Sequence, residues 1–380
     1  MSRPLSEQRA EFVVDDAVAY FNTAGLSPML RTVREAAERA LDRRSMPWTI
    51  TAQEWFADVE ELRASVARLM GVAADDVALV PSSSYGLATV ARNLSTKPGD
   101  RVLVLADEFP SNHYTWQRFT RRTGAELVVV ARDPGQRWVD AILGVIDERV
   151  AIASLPNVHW TNGALIDLER VARALHDAGA VFIVDASQSL GALPLDVAAL
   201  LPDAVVAVGY KWLLGPLGLG YLYLDPKFHD GEPLEENWIA RVGAEDFSRL
   251  IDYQEAYQPG ARRFDVGERS NFQLLPAASA AIRRLLDWTV AAVAATLRAR
   301  TDEIAARVRQ AGVPVAADDA RGPHILGLEL PAPSILRVTR ALRDARVVTS
   351  LRGSSLRISP HLHNDARDVD RLLEVLRAAL

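Results

Sequence analysis

A chain of 380 residues, 49% hydrophobic and 24% charged, is long enough for one large domain and a smaller one with a substantial core. Its formal net charge of −6 gives no general attraction to nucleic acid or to an anionic membrane surface, and the absence of cysteine excludes disulfides, thiolate metal sites and a cysteine nucleophile. The start, MSRPLSEQRAEFVVDDAVAYF, is broken by charges and lacks the apolar core of a signal peptide, and no stretch is apolar for long enough to span a membrane. A soluble cytoplasmic protein without nucleic-acid or membrane partners is the expectation.

Residues 1–20 read as an N-terminal arm, exposed from Ser2 to Val14, and Tyr20 to Met29 as a short strand running into a loop. Helical spacing follows in TVREAAERALDRR and again in WFADVEELRASVARLMG, where Gly71 is a natural stop; Trp48, Trp55 and Phe56 read as packing residues. Strand then alternates with helix from DVALVPSSS to LERVARALHDAG, the signature of a parallel sheet. Two further apolar runs, VFIVD and AVVAVGYK, end on Asp185 and Lys211, and GLGYLYL returns antiparallel after a tight Gly-Pro turn. The stretch Pro226 to Phe272 has no clear period and is expected to wrap the site or a neighbouring subunit. From Leu274 one long Ala/Arg-rich helix leads to a smaller α+β unit, with VVTSLRG and LRISP as paired strands. The division expected is 1–20 arm, 21–275 large domain and 276–380 small domain.

The chemistry concentrates at strand ends. A buried acid and a buried amine on neighbouring strands cost several kcal/mol unless something pairs with them, and in open α/β sheets ligands bind in the crevice beyond those ends. Pyridoxal phosphate meets both groups, its aldehyde joining a lysine and its protonated ring nitrogen pairing with a carboxylate. Ser82, Ser83 and Ser84 close a strand and open a helix, where exposed N–H groups and hydroxyls suit a phosphate. Seven histidines show no metal pattern; His361 and His363 form only an HxH, read as loop or pocket lining.

VDASQSLGALPLDV followed by VGYKWLLGPLGLGYLYL resembles the fold-type I pyridoxal-phosphate enzymes of the aminotransferase class V group, which includes cysteine desulfurases, kynureninases and isopenicillin N epimerase-like proteins. EFPSNHYTW and SLPNVHWTNGALIDL are similar to its kynureninase side, and RFDVGERSNF and LRISPHLHN to its shared C-terminal elements. The resemblance implies an α/β fold, a large domain with a mostly parallel seven-stranded-type sheet plus a smaller C-terminal α+β domain. It implies that Lys211 forms the Schiff base and later moves the Cα proton, and that Asp185 pairs with the ring nitrogen. Phe109 would stack on the ring, Gln188 would contact its phenolic oxygen, and Asn157 and Thr161 would face that oxygen. Ser83, Ser84 and Tyr210 would hold the phosphate, with Ser270 or Asn271 reaching the phosphate of a second subunit in a homodimer. Arg357 would hold the substrate α-carboxylate. The loop from Asn22 to Gly25, together with Pro226 to Phe272, would set specificity; His113, His159, Trp160, Trp212 and Trp238 are further candidates for shaping or lining the pocket.

The expected activity is that of an enzyme acting on an α-amino acid through external aldimine and quinonoid intermediates, with transamination placed first. A C–S or C–C lyase or an epimerase is the alternative, although desulfurase chemistry of the usual kind needs a cysteine that this chain lacks. A non-catalytic binding protein of the same fold is the second alternative. A nucleotide-binding protein has little support, since neither GxGxxG after a strand nor GK[ST] occurs.

Overall fold

The computed structural model of the protein describes residues 3–133, 135–310 and 312–380, so Met1 and Ser2 of the expected arm lie outside it. After a two-residue strand β1 (Ala19–Tyr20) come helices α1 (Arg31–Arg44) and α2 (Glu54–Met70), the second stopped by Gly71 at φ 72°. The chain then alternates through β2 (Val77–Val80), α3 (Ser83–Arg92), β3 (Arg101–Leu105), α4 (Pro110–Thr123), β4 (Glu126–Val130), α5 (Trp138–Leu143) and β5 (Val150–Pro156). It continues with α6 (Leu168–Asp177), β6 (Val181–Asp185), α7 (Val197–Leu200), β7 (Ala204–Val208) and β8 (Gly220–Leu224).

β2 to β8 make one seven-stranded sheet in the order β2-β8-β7-β6-β5-β3-β4. β3 to β7 are parallel, and β8 lies antiparallel to both β2 and β7, as the short turn after Lys211 requires. Every residue of β2, β7 and β8 is buried, which their unbroken apolar runs anticipate for a sheet covered on both faces. β3 connects towards β4 at one edge while β5 connects towards β6 on the other side. That reversal of direction puts a crevice at the carboxyl ends of the central strands.

The second part holds α8 (Leu275–Trp288), α9 (Val290–Gln310), β9 (Leu326–Glu329), α10 (Ile335–Asp344), β10 (Val347–Val348), β11 (Ser350–Arg352), β12 (Ser355–Ile358) and α11 (Ala366–Ala379). β9, β11 and β12 form an antiparallel sheet, and β10 pairs in parallel with β1. Leu297 of α9 packs in the core of the large sheet, whereas Ile304 packs with Ala19, Phe21 and the small sheet, so the core changes within α9.

Four expectations are corrected. The N-terminal arm is docked, because Arg9 is held by Asp368 and the His363 carbonyl and Phe12 is fully buried beside Trp288. Trp48 is largely solvent-facing, 79% exposed, while Trp55 joins an aromatic cluster with Trp238, Phe247 and Phe272. The long helix breaks at Thr289, whose φ of 63° is not helical and whose hydroxyl caps α9 at Ala292. VVTSLRG splits in two, its first half pairing with β1 and its second with β12.

Candidate active site

Asp185 is the final residue of β6, and its Oδ1 accepts the Ser187 N–H at 2.9 Å. Lys211 follows β7 in a turn closed by Gly209 N–H on the Leu219 carbonyl (2.9 Å) and Gly215 N–H on the Gly209 carbonyl (2.8 Å). This presents the lysine at the carboxyl end of the sheet. Its Nζ is buried, 5.2 Å from the Phe109 ring centre and 5.7 Å from that of Tyr210. Burial lowers the ammonium to about 8, with Asp185 opposing and Arg357 and Arg352 adding to the shift. An amine so depressed is a usable nucleophile and base near neutral pH.

The cleft around it is lined by Ser83, Phe109, Asp185, Gln188, Tyr210 and Lys211 among the expected residues. Gln188 has a fixed orientation. The indole N–H of Trp212 can only donate, and it donates to Oε1 at 3.0 Å, so Nε2 is the amide end on the Ala24 carbonyl at 3.1 Å. One Nε2 hydrogen remains for a ligand. Trp212 itself is core, fully buried against His324. Ser82, rather than Ser83 or Ser84, caps α3 by accepting the Tyr85 N–H. Consecutive helical residues point about 100° apart. Ser83 therefore lines the cleft, while exposed Ser84 turns to Ser82 at 2.8 Å and to the groove between α3 and α4, so its expected place is corrected.

Asn157 sits between the lining residues Pro156 and Val158 and is buried, its Oδ1 without a partner among the described residues. Thr161 is not brought in. Its hydroxyl lies 2.8 Å from Nδ1 of His159, whose Nε2 must donate to the Ala106 carbonyl at 3.1 Å, so Nδ1 is the acceptor. His159 stacks on Trp138 at 5.2 Å and is held below its ordinary value by burial, which makes it a brace of this loop. Neither His113 nor Trp238 lines the cleft; Trp160 does, edge-on to Phe109 at 5.5 Å.

Arg357, on β12, is 1% exposed and pairs with no carboxylate among the described residues. Its guanidinium donates to Ser350 Oγ (3.1 Å), the Trp160 carbonyl (2.7 Å) and Asn22 Oδ1 (3.4 Å), all neutral. Burial and Arg352 push it down to about 9. Asn22 is thus joined to the site, and Gly25 leaves it room, since a Cβ there would lie 2.8 Å from Asn22 Nδ2. Ser270 and Asn271 are elsewhere: the Ser270 hydroxyl donates to the Trp55 carbonyl, and Asn271 Oδ1 accepts the Gln273 and Leu274 N–H groups ahead of α8. No residue from Pro226 to Phe272 lines the cleft; this stretch packs on α2 and α3 through Arg262–Glu60, Asp265–Arg63 and Glu232–Arg92, and on β2 through Asp265, which accepts the Leu79 N–H.

Three lining or facing residues were not foreseen. Glu108 and Ser187 line the cleft with one buried oxygen each, Oε2 and Oγ, that has no partner among the described residues. Arg352 lies over the Trp160 ring at 5.4 Å. The signal for Glu108 was an acid immediately before the stacking aromatic in EFPSN; that for Ser187 was its place between Asp185 and Gln188. Together with Asn157 Oδ1, these unpaired buried oxygens, a depressed lysine and the open first turn of α3 fit a polar, phosphate-bearing ring compound such as pyridoxal phosphate.

The chain superposes on a cysteine desulfurase from Thermococcus onnurineus with TM-score 0.84 at 20% identity, covering 99% of both chains. It superposes also on a lysine-to-alanine mutant of C-DES with glycine covalently linked to the PLP cofactor, with TM-score 0.89 at 19% identity over 99% of this chain and 100% of that one. The fold is therefore that of the fold-type I pyridoxal-phosphate enzymes. Residues 20–372 match the family model described as aminotransferase class-V, and the chain belongs to that family. It is a pyridoxal-phosphate-dependent enzyme, and pyridoxal 5'-phosphate is its cofactor. An uncharacterized aminotransferase of Bacillus subtilis is 26% identical over 86% of this chain and 85% of its own length. A kynureninase of Deinococcus radiodurans is 30% identical over 70% of this chain and 65% of its own. Among the described residues no helix is long and apolar enough to cross a membrane.

Proposed function

We propose that the protein is an aminotransferase acting on an α-amino acid, with Lys211 as the attachment point of the cofactor and Arg357 as the anchor of the substrate carboxylate. The observation that carries this reading is Arg357, a buried guanidinium with neutral partners, whose charge acts on Lys211. A buried charge kept without a counter-ion is costly unless a ligand supplies one, and a planar fork is matched by a carboxylate.

When bound, pyridoxal phosphate supplies an electron sink that makes the Cα proton of an amino acid removable. The chain does the rest. Asp185, steadied by the Ser187 N–H, would pair with the ring nitrogen. Ser83 with the first turn of α3, and Tyr210, would hold the phosphate. Phe109 would cover the ring, and Gln188 and Asn157 would address its oxygen. Lys211, its basicity lowered by burial, removes the Cα proton and returns it elsewhere. Trp160, edge-on to Phe109, narrows the entrance and limits water. Ser270 and Asn271, turned away from this cleft, belong in the reading to a homodimer in which they approach the neighbouring site; solution mass by light scattering tests it.

A lyase is the second reading, favoured by the kynureninase relative at 30% identity; epimerisation needs the same groups. The purified protein is incubated with single amino acids and the product pool scored. Keto acid formed in proportion to pyridoxamine phosphate supports transfer. Ammonia with pyruvate and unchanged cofactor overturns it in favour of elimination.

A further inference from the structure

We propose, on the reading of Arg357 as anchor of the α-carboxylate, that Arg352 receives a second carboxylate of the substrate, so that the protein acts on an acidic α-amino acid. The hairpin of β11 and β12 brings the two guanidinium groups together. Arg352 stands opposite Ser355 and Arg357 opposite Ser350 in the antiparallel register. Directly paired residues share a face, as do residues two apart on a strand, so the two arginines leave one face of the small sheet as diagonal neighbours. That face meets the cleft at Trp160, a lining residue. Arg357 donates to the Trp160 carbonyl at 2.7 Å, and the Arg352 guanidinium lies over the Trp160 ring at 5.4 Å.

Two cations held this close repel one another. After burial, Arg352 contributes to the lowering of both Arg357 and Lys211, so its field reaches the carboxylate anchor and the proton-moving amine alike. Arg352 itself pairs with no carboxylate among the described residues. It is half-buried, donates from Nη1 to the carbonyl of its neighbour Leu351 at 2.8 Å, and keeps a buried Nε–H without a partner. Glu329, next in register beyond Ser355, is engaged by Ser354 Oγ at 2.7 Å. Of the acids lining the cleft, Asp185 accepts the Ser187 N–H and Glu108 the Phe109 N–H. A guanidinium with an unfilled fork suits a carboxylate, which it binds through two parallel hydrogen bonds. An acidic α-amino acid offers one carboxylate to each arginine and neutralises a pair that the protein leaves uncompensated. An apolar side chain would leave Arg352 unanswered, and that difference is the source of selectivity.

The full-length protein loaded with pyridoxal phosphate is titrated by calorimetry with two pairs of unreactive acids, succinate against butyrate and glutarate against pentanoate. The members of each pair differ by one carboxylate. In at least one pair the diacid is expected to bind about tenfold or more tightly, the worth of one charge-assisted fork. Arg352→Met should remove that advantage while changing monoacid binding by less than about threefold, and Arg352→Lys, which keeps the charge without the fork, should fall between. Equal affinities within both pairs overturn the proposal. So does an Arg352→Met protein that loses monoacid and diacid alike, the result for a brace of Trp160. In turnover, the ratio of kcat/KM for aspartate and glutamate to that for asparagine and glutamine is expected to fall about tenfold or more in Arg352→Met. An unchanged ratio overturns the proposal. If the diacids show their advantage and no amino acid yields a keto acid, the transfer reading fails while the place for a second carboxylate stands.

Discussion

Replacing Arg357 by methionine separates binding from folding. In the free protein this guanidinium is 1% exposed and is lowered from 12.5 to about 9 by burial, a difference equivalent to roughly 5 kcal/mol of unreturned desolvation. Against this stand three hydrogen bonds, to Ser350, Trp160 and Asn22, each worth about 0.5–1.5 kcal/mol and leaving acceptors that water reaches only in part. The terms nearly offset, so Arg357→Met is expected to change unfolding free energy by no more than about 2 kcal/mol, a shift of a few degrees in Tm. Substrate handling should change far more. Loss of a buried, charge-assisted partner for the carboxylate costs about 2–5 kcal/mol, or roughly 30- to several-thousand-fold in kcat/KM. Arg357→Lys restores charge without the fork and should fall between. Calorimetry and steady-state kinetics on one preparation decide. A Tm drop beyond ten degrees with kcat/KM reduced less than fivefold would show that Arg357 is a structural brace.

Lys211→Ala should fold, lack the visible absorbance of a lysine-bound cofactor and lose turnover; retention of that band would place the attachment elsewhere. Asp265 lies fully buried between Arg63 (2.7 Å) and Arg269 and accepts the Leu79 N–H, which holds it below the usual carboxylate range. Asp265→Asn should cost about 3–5 kcal/mol in urea unfolding by stranding two guanidinium groups. Gly191 has φ 98°, and a Cβ there would sit 2.4 Å from the Trp212 carbonyl. Gly191→Ala should therefore lower Tm and weaken cofactor retention together, since the displaced segment carries Lys211; a lower Tm with unchanged retention would refute the link. Glu108 keeps its proton to about 8 in the native state against 4.5 in a free carboxyl, so native protein binds more protons in that window and stability falls as pH rises through it. Glu108→Gln should flatten this fall, gaining a few kcal/mol over the native sequence at pH 9 in cofactor-free urea melts.

The strands were readable because their fully buried faces demand unbroken apolar runs, and a polar residue that ends such a run has one direction in which to point. Asp185 follows from that constraint, Lys211 stands in the turn just beyond β7, and the Gly-Pro turn after it fixes the antiparallel return of β8. Helix–helix breaks were not readable. Nothing in the Ala/Arg pattern marks Thr289 as non-helical; its conformation is imposed by packing on both sides of it, where Trp288 and Val293 are buried in one core.

Loop residues show where sequence reasoning loses its footing. Ser83 and Ser84 are chemically identical and adjacent, yet the start of α3 at Ser83 sends one into the cleft and the other to solvent, so a shift of one residue in the cap would exchange them. Thr161 and Asn157 occupy one loop, but His159 stacks on Trp138 of the preceding helix α5 and claims the threonine hydroxyl, so that the loop's own packing takes the group. Glu108 carried no distinguishing signal beyond its place before Phe109 in EFPSN. Its Oε1 accepts the Phe109 N–H, and burial first, then Asp185, push the carboxyl up to about 8. The basicity of Lys211 is therefore a property of several elements together: its own burial, Asp185 at the end of β6, and Arg357 and Arg352 on the small sheet.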